Sequence, residues 1–451
     1  MPTLMVSVSG IRGIVGDGID PNTVVKYASA YADFCGKGKI VIGSDGRISG
    51  NMVKHTLIGT LLAKGNDVID IGICPTPTVL YNVTKLGAVG GIQISASHNP
   101  NEWNALKLLN SKGEFMTPEE NKQMLGTLDF SNKSFVAWNN LGKATDYSEG
   151  LKNHIEDVFK LELIDKELIR SKKFKVVVDC VNGAGSYVMP EFLKELGCEV
   201  IELDCEKSGV FPRLPEPIPE NLTKTMQTVK DNNADLAIVV DPDVDRLVLI
   251  TDKGEPFIEE NTITLAAKYV LSKTKGDVVV NLSTTRAIDD VANAESCKVF
   301  RSPVGEANVV KLMKEKNAVI GGEGSGGVIY PALHYGRDAL VGTVLTLQYL
   351  AETGKKLSET KEELPQYFIA KKKIVLGNVN PDEVIEKLTE KYSDKKINTD
   401  DGLRIDFEDH WVHFRKSNTE PIIRCIAEAA NEKLANKYID KYFSEVEELM
   451  K

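Results

Sequence analysis

The sequence predicts an α/β chain of four units: three similar α/β units with mixed, mostly parallel sheets, then a C-terminal α+β unit. Three observations predict it. Short β-branched runs alternate with segments of helical spacing. The same strand–turn–helix pattern restarts at intervals of roughly a hundred residues. After about residue 368 that alternation gives way to strands packed more closely in sequence.

In chain order, KIVIGSD (39–45) is a strand ending in a polar turn. MVKHTLIGTLLAKG follows with helical spacing and a glycine stop at Gly65, and DVIDIGICPTP is a strand ended by prolines. Such β-α-β order implies parallel strands with helices on both faces. KVVVDCVNGAG (175–185) and GDVVVNLSTTRAIDDVA (276–292) repeat it. YSEGLKNHIEDVFKLELI reads as a helix joining the first two units, and PFIEENTITLAAKYVL as the helix opening the third. KKKIVLGNV, DGLRIDFEDHWVHFRKS and PIIRCIAEA read as strands around one helix, with a closing helix near 431–450. The expected domains are 1–150, 151–255, 256–368 and 369–451.

Apolar content of 42% and charged content of 27% over 451 residues are those of an ordinary globular protein with several cores. The formal net charge of −10 weighs against a general binder of nucleic acid or of an anionic membrane. Anion binding would need a few clustered cations. The seven cysteines are scattered, without zinc-finger spacing, and fit reduced thiols in a cytoplasm. MPTLMVSVSG lacks the basic-then-apolar pattern of a signal peptide, and no apolar run reaches the roughly 18 residues that span a bilayer.

Four motifs carry chemistry. In ISASHNPNEWNALKLL (94–109), hydroxyls stand at a strand end and Lys107 follows ten residues after Ser97. This is either turn and helix-cap chemistry or a nucleophile with a charged neighbour. Ser97 and His98 are too close in sequence to form a protease-like pair. In DPDVDRLVLI (241–250), Asp241, Asp243 and Asp245 alternate after an apolar strand, which suits a loop around a hard cation. Residue Arg246 stands where a calcium-binding EF-hand loop needs glycine, and it would suit a bound phosphate. GGEGSGGVIYP (321–331) is glycine-rich but not a P-loop, and Glu323 and Ser325 offer partners for sugar hydroxyls. RKSNTEPIIR gathers Arg415, Ser417, Asn418, Thr419 and Arg424 as a phosphate cradle. Each has a plainer reading as a solvated turn.

Together, and in this order, the four loops resemble those of the α-D-phosphohexomutases, the family of phosphoglucomutase, phosphomannomutase and phosphoglucosamine mutase. The similarity covers the whole chain, and GIRG (10–13) fits it too. The resemblance implies four domains around a central cleft. Ser97 would be the phosphorylated serine, and the three aspartates would hold Mg²⁺ together with its phosphate. Arg12, Lys107 and Arg246 would surround the transferred group, Glu323 and Ser325 would read the sugar, and the 415–424 loop would hold the phosphate that is not reacting. The sequence departs from the family at VSVS (6–9), at Gly327, where many members have histidine, at Lys416, and at Glu306 in SPVGE, where a histidine is common.

The implied activity is an intramolecular phosphotransfer between hexose 6-phosphate and hexose 1-phosphate, through phosphoserine and a hexose 1,6-bisphosphate. Lys107 is the candidate base, on the expectation that a cation-rich site depresses its pKa. Glu306, as a carboxylate near C2 of the sugar, favours glucosamine phosphate over mannose or glucose phosphate. A phosphosugar-binding protein without chemistry and a metal-dependent phosphatase are the rivals. No nucleic-acid or membrane partner is expected, and the chain is expected as a monomer or homodimer.

Overall fold

The computed structural model describes residues 3–7, 10–128, 134–377, 379–416 and 422–450. Its strands form sheets of seven, four, four and five. The first three share one plan. In the first unit, Lys39–Ser44 lies between Asp67–Ile73 and Gly90–Ile94, all parallel, and Trp103–Leu109 runs antiparallel beside the last of these. In the second, Lys175–Asp179 lies between parallel Glu199–Leu203 and Leu236–Val240, with Leu247–Thr251 antiparallel. In the third, Val278–Asn281 lies between parallel Val299–Ser302 and Ile320–Glu323, with Gly327–Ile329 antiparallel. Each unit is thus ordered second, first, third, fourth strand, with the fourth reversed.

That order has a functional consequence. Ligands of open α/β sheets gather beyond the carboxyl ends of the parallel strands. The third-to-fourth strand turn lies there in every unit, and it is where the Ser97 loop, the Asp241–Arg246 loop and the Gly324–Gly326 turn all fall. Three repeats of one topology therefore aim three different loops at one cleft.

The apolar runs explain the burial. LAIVV (236–240) and LVLIT (247–251) are buried at every residue, as strands covered on both faces must be. WNALKLL forms a strand, Trp103–Leu109, so the helix-cap reading of this stretch is corrected. A short apolar run has no period by which to tell strand from helix, and here pairing with Gly10–Ile14 and Gly90–Ile94 decides. The second and third units share one apolar core, into which helix Ala339–Thr353 is sunk, whereas the first and fourth have cores of their own. The fourth unit is an all-antiparallel sheet backed by helices Pro381–Lys391 and Glu432–Leu449. Among the described residues all seven cysteines are free thiols, and no helix is long and apolar enough to cross a membrane.

Candidate active site

The loops converge on a cleft of about 960 Å³ lined from all four units. Ser97 sits at its floor with a left-handed backbone, φ 50°, an unfavourable conformation for a non-glycine residue. One buried side chain holds it there. Arg47 Nη2 donates to the carbonyls of Ser97 (2.5 Å) and Asn99 (2.8 Å), and Nη1 to those of Pro100 (2.7 Å) and Trp103 (3.2 Å). Its Nε donates to Asp45 Oδ2 at 2.9 Å, and the guanidinium lies 4.6 Å from the Phe211 ring centre. Sequence reading missed Arg47. Its signal was present, since GSDGRIS follows the first strand of the parallel set, but the carbonyls it binds lie 50 to 56 residues away.

The three aspartates are fully buried opposite Ser97. The Ser97 hydroxyl donates to Asp241 Oδ2 at 3.0 Å, and the other oxygen of Asp241 accepts the N–H groups of Asp245 and Arg246. Lys107 Nζ bridges Asp243 (2.5 Å) and Asp245 (3.3 Å), and the Thr76 hydroxyl also donates to Asp243. One oxygen on Asp243 and one on Asp245 are buried with no hydrogen-bond partner among the described residues. One oxygen from each of the three carboxylates lies within 4.8 Å of the others. Orphaned, clustered carboxylate oxygens fit a hard divalent cation.

The charges confirm the crowding. Burial and the charges of Asp245 and Asp243 push the Asp241 carboxyl well up. Burial pushes Asp245 the same way, but Arg337, Lys107 and Arg246 outweigh it and hold this carboxyl well down. Lys107 corrects the expectation of a depressed lysine. Burial lowers its pKa, yet Asp243 and Asp245 outweigh burial and hold it up, as an ammonium. Arg12 Nη1 donates to Asn99 Oδ1 at 2.7 Å. Arg246 stands 3.9 Å from both Asp245 and Glu216, and its Nε lacks a hydrogen-bond partner among the described residues. The cations act on His98 as well. Arg246, burial and Arg12 depress its pKa, so its ring, 3.4 Å from the Ser97 hydroxyl, is neutral.

At the third unit, Glu323 ends its strand and Ser325 lies half-buried in the turn, both on the cleft wall. Neither oxygen of Glu323 is free. One accepts from Asn281 (2.9 Å) and the Gly305 N–H (3.0 Å), the other from Arg337 Nη1 (2.6 Å). Glu306, in the first turn of helix Glu306–Lys316, accepts from Arg337 Nε at 2.9 Å and from the Arg337 N–H at 3.3 Å. Burial pushes its carboxyl up to about 7. Glu306, expected to face the sugar, is thus also engaged by Arg337, a residue that sequence reading missed.

At the fourth unit, Arg415 and Arg424 face each other across paired strands, and Lys373 is register partner to Arg424 on the other side. Three cations thus stand abreast on the cleft wall. Arg415 is paired with Asp401 at 2.7 Å, and Asp401 also accepts the Val304 N–H, beside Glu306, at 2.9 Å. Ser417, Asn418 and Thr419 lie outside the described residues.

Family models described as phosphoglucomutase/phosphomannomutase α/β/α domains I, II and III match residues 4–130, 147–254 and 259–368, and the C-terminal domain model matches 372–444. A phosphoglucomutase/phosphomannomutase of Thermococcus kodakarensis is 38% identical, covering 98% of this chain and 98% of its own length. A protein of Methanopyrus kandleri named probable phosphoglucosamine mutase is 34% identical, covering 96% of each. The crystal structure of a phosphoglucomutase/phosphomannomutase family protein from Burkholderia thailandensis superposes with a TM-score of 0.84 at 25% identity, covering 99% of this chain and 98% of that one.

Proposed function

The chain belongs to the phosphoglucomutase/phosphomannomutase family, and from that membership we propose that it interconverts glucosamine 6-phosphate and glucosamine 1-phosphate by way of phospho-Ser97. The observation that carries the chemistry is Ser97, strained, buried and bonded to Asp241 at the floor of a cleft walled by cations. A protein that only binds phosphosugars has no use for that constellation.

In this reading the phosphorus–Oγ bond of phospho-Ser97 breaks as a bond forms to the free hydroxyl of the sugar phosphate, whose proton passes to a neighbouring base. The resulting 1,6-bisphosphate turns over in the cleft, and its other phosphoryl group returns to Ser97. Arg12, Arg246 and Lys107 line the path of the transferred group, and Lys107 serves as an ammonium donor to it. Asp241, Asp243 and Asp245 would hold Mg²⁺ with the serine phosphate, an ion that offsets the negative charge gathered there. Arg415, Arg424 and Lys373 offer paired charged hydrogen bonds to the distant phosphate, and a site of this kind accepts either end of the sugar. Free thiols throughout suit a reducing cytoplasm.

The sugar follows from a charge count. Once Asp245 serves the cation, Glu306 and Glu323 share the single guanidinium of Arg337, so ionisation of Glu306, whose carboxyl stands at about 7, leaves a surplus negative charge beside the sugar. A C2 ammonium offsets that charge and a C2 hydroxyl does not. The observation favouring mannose and glucose phosphates instead is that Glu306 already accepts two bonds from Arg337. Turnover of glucosamine, glucose and mannose 1-phosphates by wild type and Ser97→Ala tests both points. Wild type should carry an extra mass of about 80 Da as phosphoserine and should prefer glucosamine phosphate by roughly tenfold. Full activity in Ser97→Ala overturns the mechanism, and a tenfold preference for another sugar overturns the substrate.

A further inference from the structure

Gly327 closes the sugar-facing turn, and a Cβ placed on it would lie 2.3 Å from Arg337 Cδ and 2.9 Å from Cγ. The stem of Arg337 therefore occupies the volume that a side chain at 327 would fill. Its backbone is anchored on both sides. Ile329 bridges Arg337, and Asp338 caps helix Ala339–Thr353 by accepting the N–H groups of Leu340 (2.8 Å) and Val341 (3.4 Å). The second oxygen of Asp338 is clasped by the buried imidazoles of His154 (2.9 Å) and His334 (3.0 Å).

From that anchored base the guanidinium spends its three nitrogens on three carboxylates of three different segments. Nε meets Glu306 at 2.9 Å, Nη1 meets Glu323 at 2.6 Å and Nη2 meets Asp245 at 2.8 Å. Only a planar fork can reach three acceptors in one fixed arrangement, whereas a lysine ammonium is a point charge on a flexible stem. We propose that Arg337 is a positioning residue that determines sugar specificity: it fills the space left by Gly327 and fixes Glu306 and Glu323 against the C2–C4 side of the sugar. The proposal rests on the reading of this wall as the sugar site. It makes a glycine at 327 and an arginine at 337 one device.

The test is a double-mutant cycle on the full-length enzyme. Arg337→Ala, Arg337→Lys, Gly327→Ala and the Gly327→Ala/Arg337→Ala pair are assayed for kcat and KM on glucosamine 1-phosphate and glucose 1-phosphate, with melting curves alongside. Arg337→Ala should raise KM about tenfold or more and move the ratio of kcat/KM between the two sugars at least about fivefold, and Arg337→Lys should not restore that ratio. Gly327→Ala should shift the ratio in the same direction, because its methyl group displaces the arginine stem. No positive φ forbids alanine there, so this variant keeps the test alive if Arg337→Ala does not fold. The double variant should lose no more than Arg337→Ala alone. Independent, additive losses overturn the proposal, as does a sugar ratio that stays at the wild-type value in folded Arg337→Ala and Gly327→Ala. A wild type that turns over neither sugar refutes the proposed function instead, so the two failures are distinct.

Discussion

Replacing Arg47 with methionine should separate how Ser97 is held from what Ser97 does. The guanidinium makes five hydrogen bonds, four to carbonyls of the 97–103 loop and one to Asp45, and both residues of the ion pair are buried. Methionine keeps most of the stem volume and removes all five. Two costs follow. Asp45 keeps the backbone N–H of residue 47 but is left as a buried carboxylate without its counter-charge, and losing one partner of a buried pair typically costs about 3–5 kcal/mol. The carbonyls of Asn99 and Pro100 sit near solvent and can find water, which keeps the total near that range. The melting transition of the first unit should fall by on the order of 10 °C. Catalysis should fall further than stability explains. A loop freed from four restraints relaxes the left-handed Ser97, and a 1 Å misplacement can cost roughly a hundredfold in kcat. The control is Asp45→Asn/Arg47→Met, which removes the stranded charge. It should recover much of the melting temperature and little of kcat. If Arg47→Met matches wild type in both, or if the double variant recovers kcat as fully as stability, Arg47 does not position the nucleophile.

Two further outcomes are expected. Excess EDTA should abolish turnover and Mg²⁺ should restore it, since two buried aspartate oxygens have no hydrogen-bond partner among the described residues; undiminished turnover in EDTA would count against a cation at this loop. Glu260, whose carboxyl burial pushes up to about 8 while it accepts the Thr285 N–H at 3.2 Å, keeps its proton in the folded chain where the unfolded chain releases it. Its contribution is thus fully present below about pH 4.5 and lost as pH rises through about 8. Wild type should lose on the order of a few kcal/mol across that window relative to Glu260→Gln. Parallel melting-temperature curves for the two proteins over this range would refute the assignment.

What the chain determines locally was legible in its letters. The β-branched runs, the glycine after Lys64 and the alternating aspartates each act within a dozen residues, so periodicity and turn chemistry expose them. Ser97, the three aspartates, Glu323 and Arg415 could be named as candidates because each motif is contiguous. Strand Trp103–Leu109 could not, since its conformation is fixed by neighbours on two sheet edges and not by its own period. The charge state of Lys107 was misjudged for a related reason. The sequence places Lys107 near the aspartates but not in direct contact with Asp243 and Asp245, 136 and 138 residues away, and that contact is what raises its pKa. Arg47 and Arg337 show the same limit from the other side. Each is one arginine among ordinary residues, and its role exists only once loops from distant segments surround its guanidinium. A side chain's chemistry is written in the sequence, but its burial and its partners are set by the sheet order that brings the third-to-fourth strand turns together, and in a low-dielectric cleft those partners decide which groups are charged and which way they point.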